Sequence, residues 1–334
     1  MMYFFSFLCL YVFLEMAQAQ APQAQSSASS AQMPGSIRQS MQALGDLELY
    51  VVDVEKSKSA IKLGTPLNIT RRPGYDNQPS FTPDNRAILY VSMREDFQTD
   101  VYRYNLKDST TTQITKTPES EYTPTTLPAD GKSIVVVRVE ADSTQRLWRF
   151  NADGTNPTVL LDSVKRIGYY GWLGASHLGL FVLGRQRGEA FSLRISPFDA
   201  ENPHGTGLPK PDSIESNIGR CIRRVPVSIA GSQLAASFVH KINDSLWMLR
   251  RVNVRNRIVS QLCPTLQGAE DYAWMQNGTL IMGQGLKLFA HHVRKDNAWR
   301  EIADFSTSIK AGYIKRLSIS NDDKRLVFVV QEKP

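Results

Sequence analysis

Six short stretches of this chain carry tyrosine, arginine or both, four of them with a charged neighbour of another type: Tyr75-Asp76-Asn77, Glu119-Ser120-Glu121-Tyr122, Ile167-Gly168-Tyr169-Tyr170, Arg220 to Arg224, Glu270-Asp271-Tyr272 and Tyr313-Ile314-Lys315. A tyrosine ring offers a large amphipathic contact at modest entropic cost, and arginine matches a carboxylate by paired hydrogen bonds. Brought together, such residues suit recognition of a polar peptide or the end of a glycan. Their charges are uneven, acidic in the first, second and fifth stretches and basic in the fourth and sixth, so they would present two opposed electrostatic sectors. The residues expected to meet a ligand are Tyr75, Asp76, Glu121, Tyr122, Tyr170, Arg220, Arg223, Arg224, Asp271, Tyr272, Tyr313 and Lys315. The competing reading is structural, with the tyrosines packed between neighbouring elements.

Catalytic patterns are sparse. A nucleophile elbow needs the form G-x-S-x-G, because the serine must sit on a sharp turn flanked by glycines; none occurs, and GASHLG at Gly174 to Gly179 has its second glycine out of place. Of the histidines only His291 and His292 are adjacent, and strand neighbours point to opposite faces, so they are poorly placed to share one ion. NADGTNPT, Asn151 to Thr158, lacks the later carboxylate of a calcium loop and fits a hairpin turn. Arg250, Arg251, Arg255 and Arg257 form the densest basic run, but no aromatics are interleaved with it, so a solvated face is expected rather than a nucleic-acid contact. Neither a metal nor a cofactor is expected.

The elements that must position these residues follow from a repeat. QPSFTPDNRAILYVSMREDFQTDVYRYNL, Gln78 to Leu106, reads as an inward strand, a tight turn at Pro83-Asp84-Asn85, an apolar strand, a loop and a third strand, with a fourth at Thr111 to Thr115. The same pattern returns with turns at Asp130, Ser176, Gly231, Asn277 and Asp322, spaced 46, 46, 55, 46 and 45 residues apart. The one long interval contains DAENPHGTGLPKPDSIESN, which reads as a loop insertion. A fixed period in the forties with four strands per repeat predicts a β-propeller. The last unit stops after two strands, and Leu47 to Val54 with AIKLGTPLNIT has the form of its missing third and fourth strands. The expectation is therefore an all-β, six-bladed β-propeller closed by N-terminal strands that complete the last blade, which removes exposed edges. In that architecture the segments entering each first strand line the mouth of the channel.

Pro79, Ser80, Phe81, Pro83 and Asp84, followed by Asp100-Val101-Tyr102, resemble the WD40-like repeat of TolB-type propellers. Pro128-Ala129-Asp130-Gly131 and Ser320-Asn321-Asp322 keep part of that pattern. The resemblance implies an exported bacterial scaffold that binds a partner, in an envelope or transport setting, and implies no reaction. Related propellers occur fused to serine hydrolase domains, but no residues are left over here for such a domain.

Residues 1–19 run apolar from Tyr3 to Leu14 and reach Ala17-Gln18-Ala19, as in a signal peptide; the apolar run is short of the roughly 20 residues that span a bilayer. Residues 20–43, rich in Gln, Ala and Ser, read as a flexible linker, leaving 44–334 for the propeller. The net charge of +7 favours acidic partners in general. Cys221 and Cys263 fall near the first and last strands of one repeat, about 14 Å apart if strands are spaced by roughly 4.8 Å, so two separate buried thiols are expected. The resulting expectation is a non-enzymatic, monomeric binding scaffold, periplasmic or secreted, with a protein or cell-envelope partner. The alternative is a carbohydrate-active or other small-molecule enzyme in which His177, His240 and one of His291 and His292 converge on the channel.

Overall fold

The computed structural model describes residues 46–57, 60–94, 98–186, 188–202 and 208–332. The signal-peptide and linker expectations for 1–43 lie outside the described residues. The chain enters through a long strand, β1 (Leu47–Lys56), on which the short β2 (Ile61–Leu63) and β3 (Leu67–Asn68) pair. An antiparallel meander follows: β4 (Tyr75–Phe81), β5 (Ala87–Met93), β6 (Thr99–Asn105) and β7 (Thr111–Gln113).

Further four-stranded sheets come next. They are β8 (Ser120–Thr126), β9 (Ile134–Val139), β10 (Gln145–Phe150) and β11 (Thr158–Leu161), then β12 (Ile167–Trp172), β13 (His177–Val182), β14 (Ser192–Pro197) and β15 (Asp212–Ser216). After them stand β16 (Ile218–Arg224), β17 (Ala235–Lys241), β18 (Trp247–Asn253) and β19 (Val259–Pro264), then β20 (Tyr272–Trp274), β21 (Thr279–Gln284), β22 (Lys287–His292) and β23 (Arg300–Asp304). The chain ends on β24 (Tyr313–Ile319) and β25 (Arg325–Gln331).

Head and tail of the described chain meet in one sheet. β1 pairs with β25 antiparallel from Leu47 opposite Gln331 to Asp53 opposite Arg325, and a single parallel bridge, Leu47 to Tyr75, joins this group to β4. The sheets stack face to face in a β-propeller, so the second strand of each is apolar on both sides; all of AILYVSM in β5 and IVVVRV in β9 is buried. Between the β4–β7 and β8–β11 sheets the core holds Leu89, Val101, Ile134, Val136 and Phe150. The first strands face inward and touch one another. Ser80 donates to the Pro124 carbonyl, and Thr125 and Tyr170 share a hydroxyl bond of 2.7 Å. Gly171 approaches Ile222 so closely that a Cβ there would lie 2.3 Å from its carbonyl oxygen.

Two elements differ from expectation. Val227–Ala230, matched to the end of an inner strand, is a single helical turn, α1; Pro226 presets its start, and Gly231 closes it at φ 66° by donating to the Val227 carbonyl. Asp212–Ser216, assigned to a loop insertion, is the fourth strand of its sheet, pairing with β14. None of its residues is buried and most are polar, which hides a strand from apolar pattern.

Inner strands β4, β8 and β24 each carry a bulge, between Asn77 and Ser80, Tyr122 and Thr125, and Lys315 and Ser318. At each bulge one residue takes the left-handed conformation: Gln78 at φ 55°, Thr123 at 53° and Arg316 at 49°. An extra residue in a strand re-aims the side chain it carries. Among the described residues no helix is long and apolar enough to cross a membrane.

Candidate functional site: a charged cluster between the inner strands

Arg316 leaves β24 at its bulge and reaches β12, where Nη2 donates to the Tyr169 hydroxyl at 3.1 Å and the guanidinium lies 5.0 Å from the ring centre. Its Nη1 is 3.6 Å from Asp271 Oδ1. Arg220, in the irregular part of β16, donates from Nε to the same Asp271 oxygen at 3.1 Å and from its terminal nitrogens to Asp271 and Glu270. Lys241 sits 2.9 Å from the other Glu270 oxygen. Arg223, further along β16, donates to the Leu317 carbonyl at 3.2 Å. Four inner strands or their leading segments are thus tied by side chains.

Burial by itself would raise the Asp271 and Glu270 carboxyls, but neighbouring cations win: Arg220 and Arg316 hold Asp271 low, and Arg220 and Lys241 hold Glu270 low. Burial opposes the charge on Arg220, yet Asp271 and Glu270 lift it well above the usual arginine range. Arg316 Nε is buried without an acceptor. Two guanidiniums therefore bracket one carboxylate, with donor capacity to spare.

A second group joins the first two complete sheets. Glu121 accepts from the Thr115 hydroxyl at 3.0 Å and the Thr117 hydroxyl at 2.5 Å, and Asp100 lies 3.3 Å from the same Thr115 oxygen. Burial pushes the Glu121 carboxyl up to about 8; the Thr117 hydroxyl pulls it down, Asp100 adds to the rise, and Arg138 at 3.6 Å opposes it.

The expected ligand-contacting residues are distributed between packing and exposure. Tyr75, Tyr122, Tyr170 and Tyr272 are buried between sheets: Tyr75 accepts from Asn77 at 3.0 Å, Tyr170 donates to the Val135 carbonyl at 2.8 Å, and Tyr272 donates to Ser237 at 2.9 Å. Asp76 is fully buried beneath Arg72, and Glu121 is fully buried as well. Arg220 and Asp271 belong to the cluster. Arg223, Tyr313 and Lys315 are half-buried and Arg224 is exposed; Tyr313 donates to Gln331 Oε1 at 2.7 Å, and Lys315 donates to the same oxygen.

Arg316, Tyr169, Glu270 and Lys241 are not among the residues expected to meet a ligand, although Tyr169 and Glu270 lie in the stretches that supply them. Three of these stand beside expected residues, and a one-residue bulge exchanges inward for outward positions. The histidines lie apart: His177, the first residue of β13, contacts Ser176, His240 faces Glu215 at 3.8 Å, and His291 on β22 packs against Trp299 with the rings tilted at 38° and 5.3 Å between centres. Among the described residues no three His, Cys, Asp or Glu side chains are grouped to hold a metal. Cys221 and Cys263 are free and buried.

No protein-family model and no curated protein matches the chain. Solved structures do. A putative TolB from Agrobacterium tumefaciens is similar at TM-score 0.62 and 10% identity, covering 86% of this chain and 98% of that one. TolB from Acinetobacter baumannii follows at TM-score 0.51 and 14% identity, covering 89% and 68%. An oligogalacturonate lyase from Vibrio parahaemolyticus is also similar, at TM-score 0.50 and 12% identity, covering 79% and 80%. At such identities the likeness is one of fold, and the chain is a β-propeller of TolB-like fold.

Proposed function

We propose that this protein is a non-enzymatic, exported binding scaffold, periplasmic or secreted, whose propeller mouth recognises a carboxylate on a protein or cell-envelope partner. The observation that carries this reading is the sharing of Asp271 by Arg220 and Arg316, with Arg316 Nε still lacking an acceptor. Arg220, Arg223, Lys241 and Arg316 outnumber Glu270 and Asp271, so the site has positive charge left over in a poorly hydrated setting, which suits an incoming carboxylate. Half-buried Tyr313 and Lys315, at the start of β24, would make first contact, with Arg223 deeper along β16.

The reading includes six blades over residues 44–334, a cleaved segment 1–19 and a tether at 20–43. Support for the blade number comes from the nine-stranded sheet, which divides at its single parallel bridge into β24, β25 and β1 with the short β2 and β3 on one side and the four strands β4 to β7 on the other, besides the four separate four-stranded sheets.

The test passes short random peptides with a free terminal carboxylate, and the same peptides amidated, over the immobilised protein. The free acids should be retained and the amides not, with retention lost in the Arg223→Gln, Lys315→Gln double variant while it still unfolds cooperatively. Equal retention of both pools, or cleavage of the peptides, would refute the reading.

A further inference from the structure

On the opposite end of the ring from the segments that enter the inner strands, the β4–β5 turn, the β6–β7 turn and their counterparts in the next sheet enclose a cleft of about 410 Å³. Antiparallel connection puts these turns at one end, because each strand reverses the direction of the last. The cleft runs between the β4–β7 and β8–β11 sheets, above Leu89 and Ile134. Period-two alternation carries the same face of β6 from buried Val101 to exposed Arg103 and then Asn105, so the sheet surface turns basic where it emerges from the apolar contact.

Three cations line it: Arg86, Arg103 and Lys132. Among the described residues their side chains form no hydrogen bond or ion pair, and all three are exposed. The single acid in the lining, Asp84, is occupied locally: it accepts from the Thr82 hydroxyl at 2.6 Å and the Arg86 amide at 3.1 Å, and the Thr82 bond, against some burial, keeps its carboxyl below the ordinary range.

Three of the corresponding pairs of neighbouring turns in the ring are tied to each other. Ser228 donates to the Gln276 carbonyl at 2.7 Å, the Gln276 amide donates to Asp323 at 3.1 Å, and Asn321 donates to the Pro83 carbonyl at 3.1 Å. Between the Pro83–Arg86 turn and the Asp130–Ser133 turn no such bond forms, and the space is left open among unpaired cations.

We infer that this cleft is a second binding site, distinct from the mouth, and that its ligand is a phosphate-type dianion. Three cations against one acid leave two positive charges, which match a phosphate monoester or pyrophosphate. Arginine presents paired N–H groups to phosphate oxygens, and lysine supplies a point charge. No aromatic side chain lines the cleft, so nothing there stacks on a nucleobase or a sugar face, and a compact oxyanion is favoured.

Inorganic pyrophosphate titrated into the purified protein at low ionic strength should bind saturably at one site, tighter than about 1 mM. Arg103→Gln combined with Lys132→Gln should weaken it tenfold or more without moving Tm. Sedimentation with phosphatidic-acid vesicles but not with phosphatidylcholine vesicles would identify a lipid headgroup as the source; pyrophosphate binding without vesicle binding would identify a soluble one. Absence of saturable binding, equal binding by the double variant, or citrate binding as tightly as pyrophosphate would overturn the assignment.

Discussion

Arg316 donates to the Tyr169 hydroxyl at 3.1 Å across 147 residues of sequence, joining β24 to β12 through the space that the inner strands surround. The bond belongs to a buried unit in which Arg316 and Arg220 share Asp271. Tyr169→Phe removes one hydrogen bond and should cost about 1 kcal/mol. Asp271→Ala strands two buried guanidiniums and should cost about 3 to 5 kcal/mol. Urea denaturation of both variants checks the order; an Asp271→Ala cost no larger than that of Tyr169→Phe would show that the unit is not desolvated.

Glu121 sets a pH dependence. Its carboxyl is pushed up to about 8, first by burial and further by Asp100, so the folded protein holds a proton that the unfolded chain releases near pH 4.5. Folded chains bind more protons across that interval, so stability is full below it and falls as pH rises from about 4.5 to about 8, by at most roughly 1.4 kcal/mol per pH unit. Glu121→Gln should flatten the curve and exceed the wild type at pH 8. A wild-type stability that rises across this window would contradict the assignment.

Closure of the ring rests on β1 against β25, where Leu49 stands opposite Val329 and both are fully buried. Leu49→Ala should cost about 2 to 5 kcal/mol. With Val329→Ala the pair should be non-additive by at least about 0.5 kcal/mol, since the two side chains share one site. Strict additivity in a double-mutant cycle would indicate that the terminal strands are not paired in solution.

The Cys221 and Cys263 thiols should be inert. Cys263 is pushed up to about 12 by burial, and Cys221 is raised chiefly by the same cause, so neither forms thiolate near neutral pH. A disulfide-exchange reagent should leave both unmodified in the native protein and titrate them after unfolding without reductant, which also distinguishes free thiols from a disulfide.

Legibility of the fold varied with the physical signal. Apolar second strands such as β5 and β9, and turns such as Thr82 to Asn85, announce themselves in sequence because both faces are buried and the turn needs particular residues. β15 does not, since its residues are polar, and before the Gly231 turn, where the repeat predicts the end of an inward strand, Pro226 starts a helical turn at Val227–Ala230. In the site, Arg220 and Asp271 were legible from their charge and place, whereas Arg316 and Tyr169 were passed over for Lys315 and Tyr170.

What the sequence determined by itself is the order of strands and the spacing of the turns, because period-two alternation and turn chemistry act over a few residues, and the pairing of β1 with β25, because the last repeat lacks the two strands that stand ahead of the first. Only the tertiary structure decided which charged side chains meet. A left-handed residue at the bulges of β4, β8 and β24, Gln78, Thr123 and Arg316, shifts the register by one, and a shift of one exchanges the face that points inward.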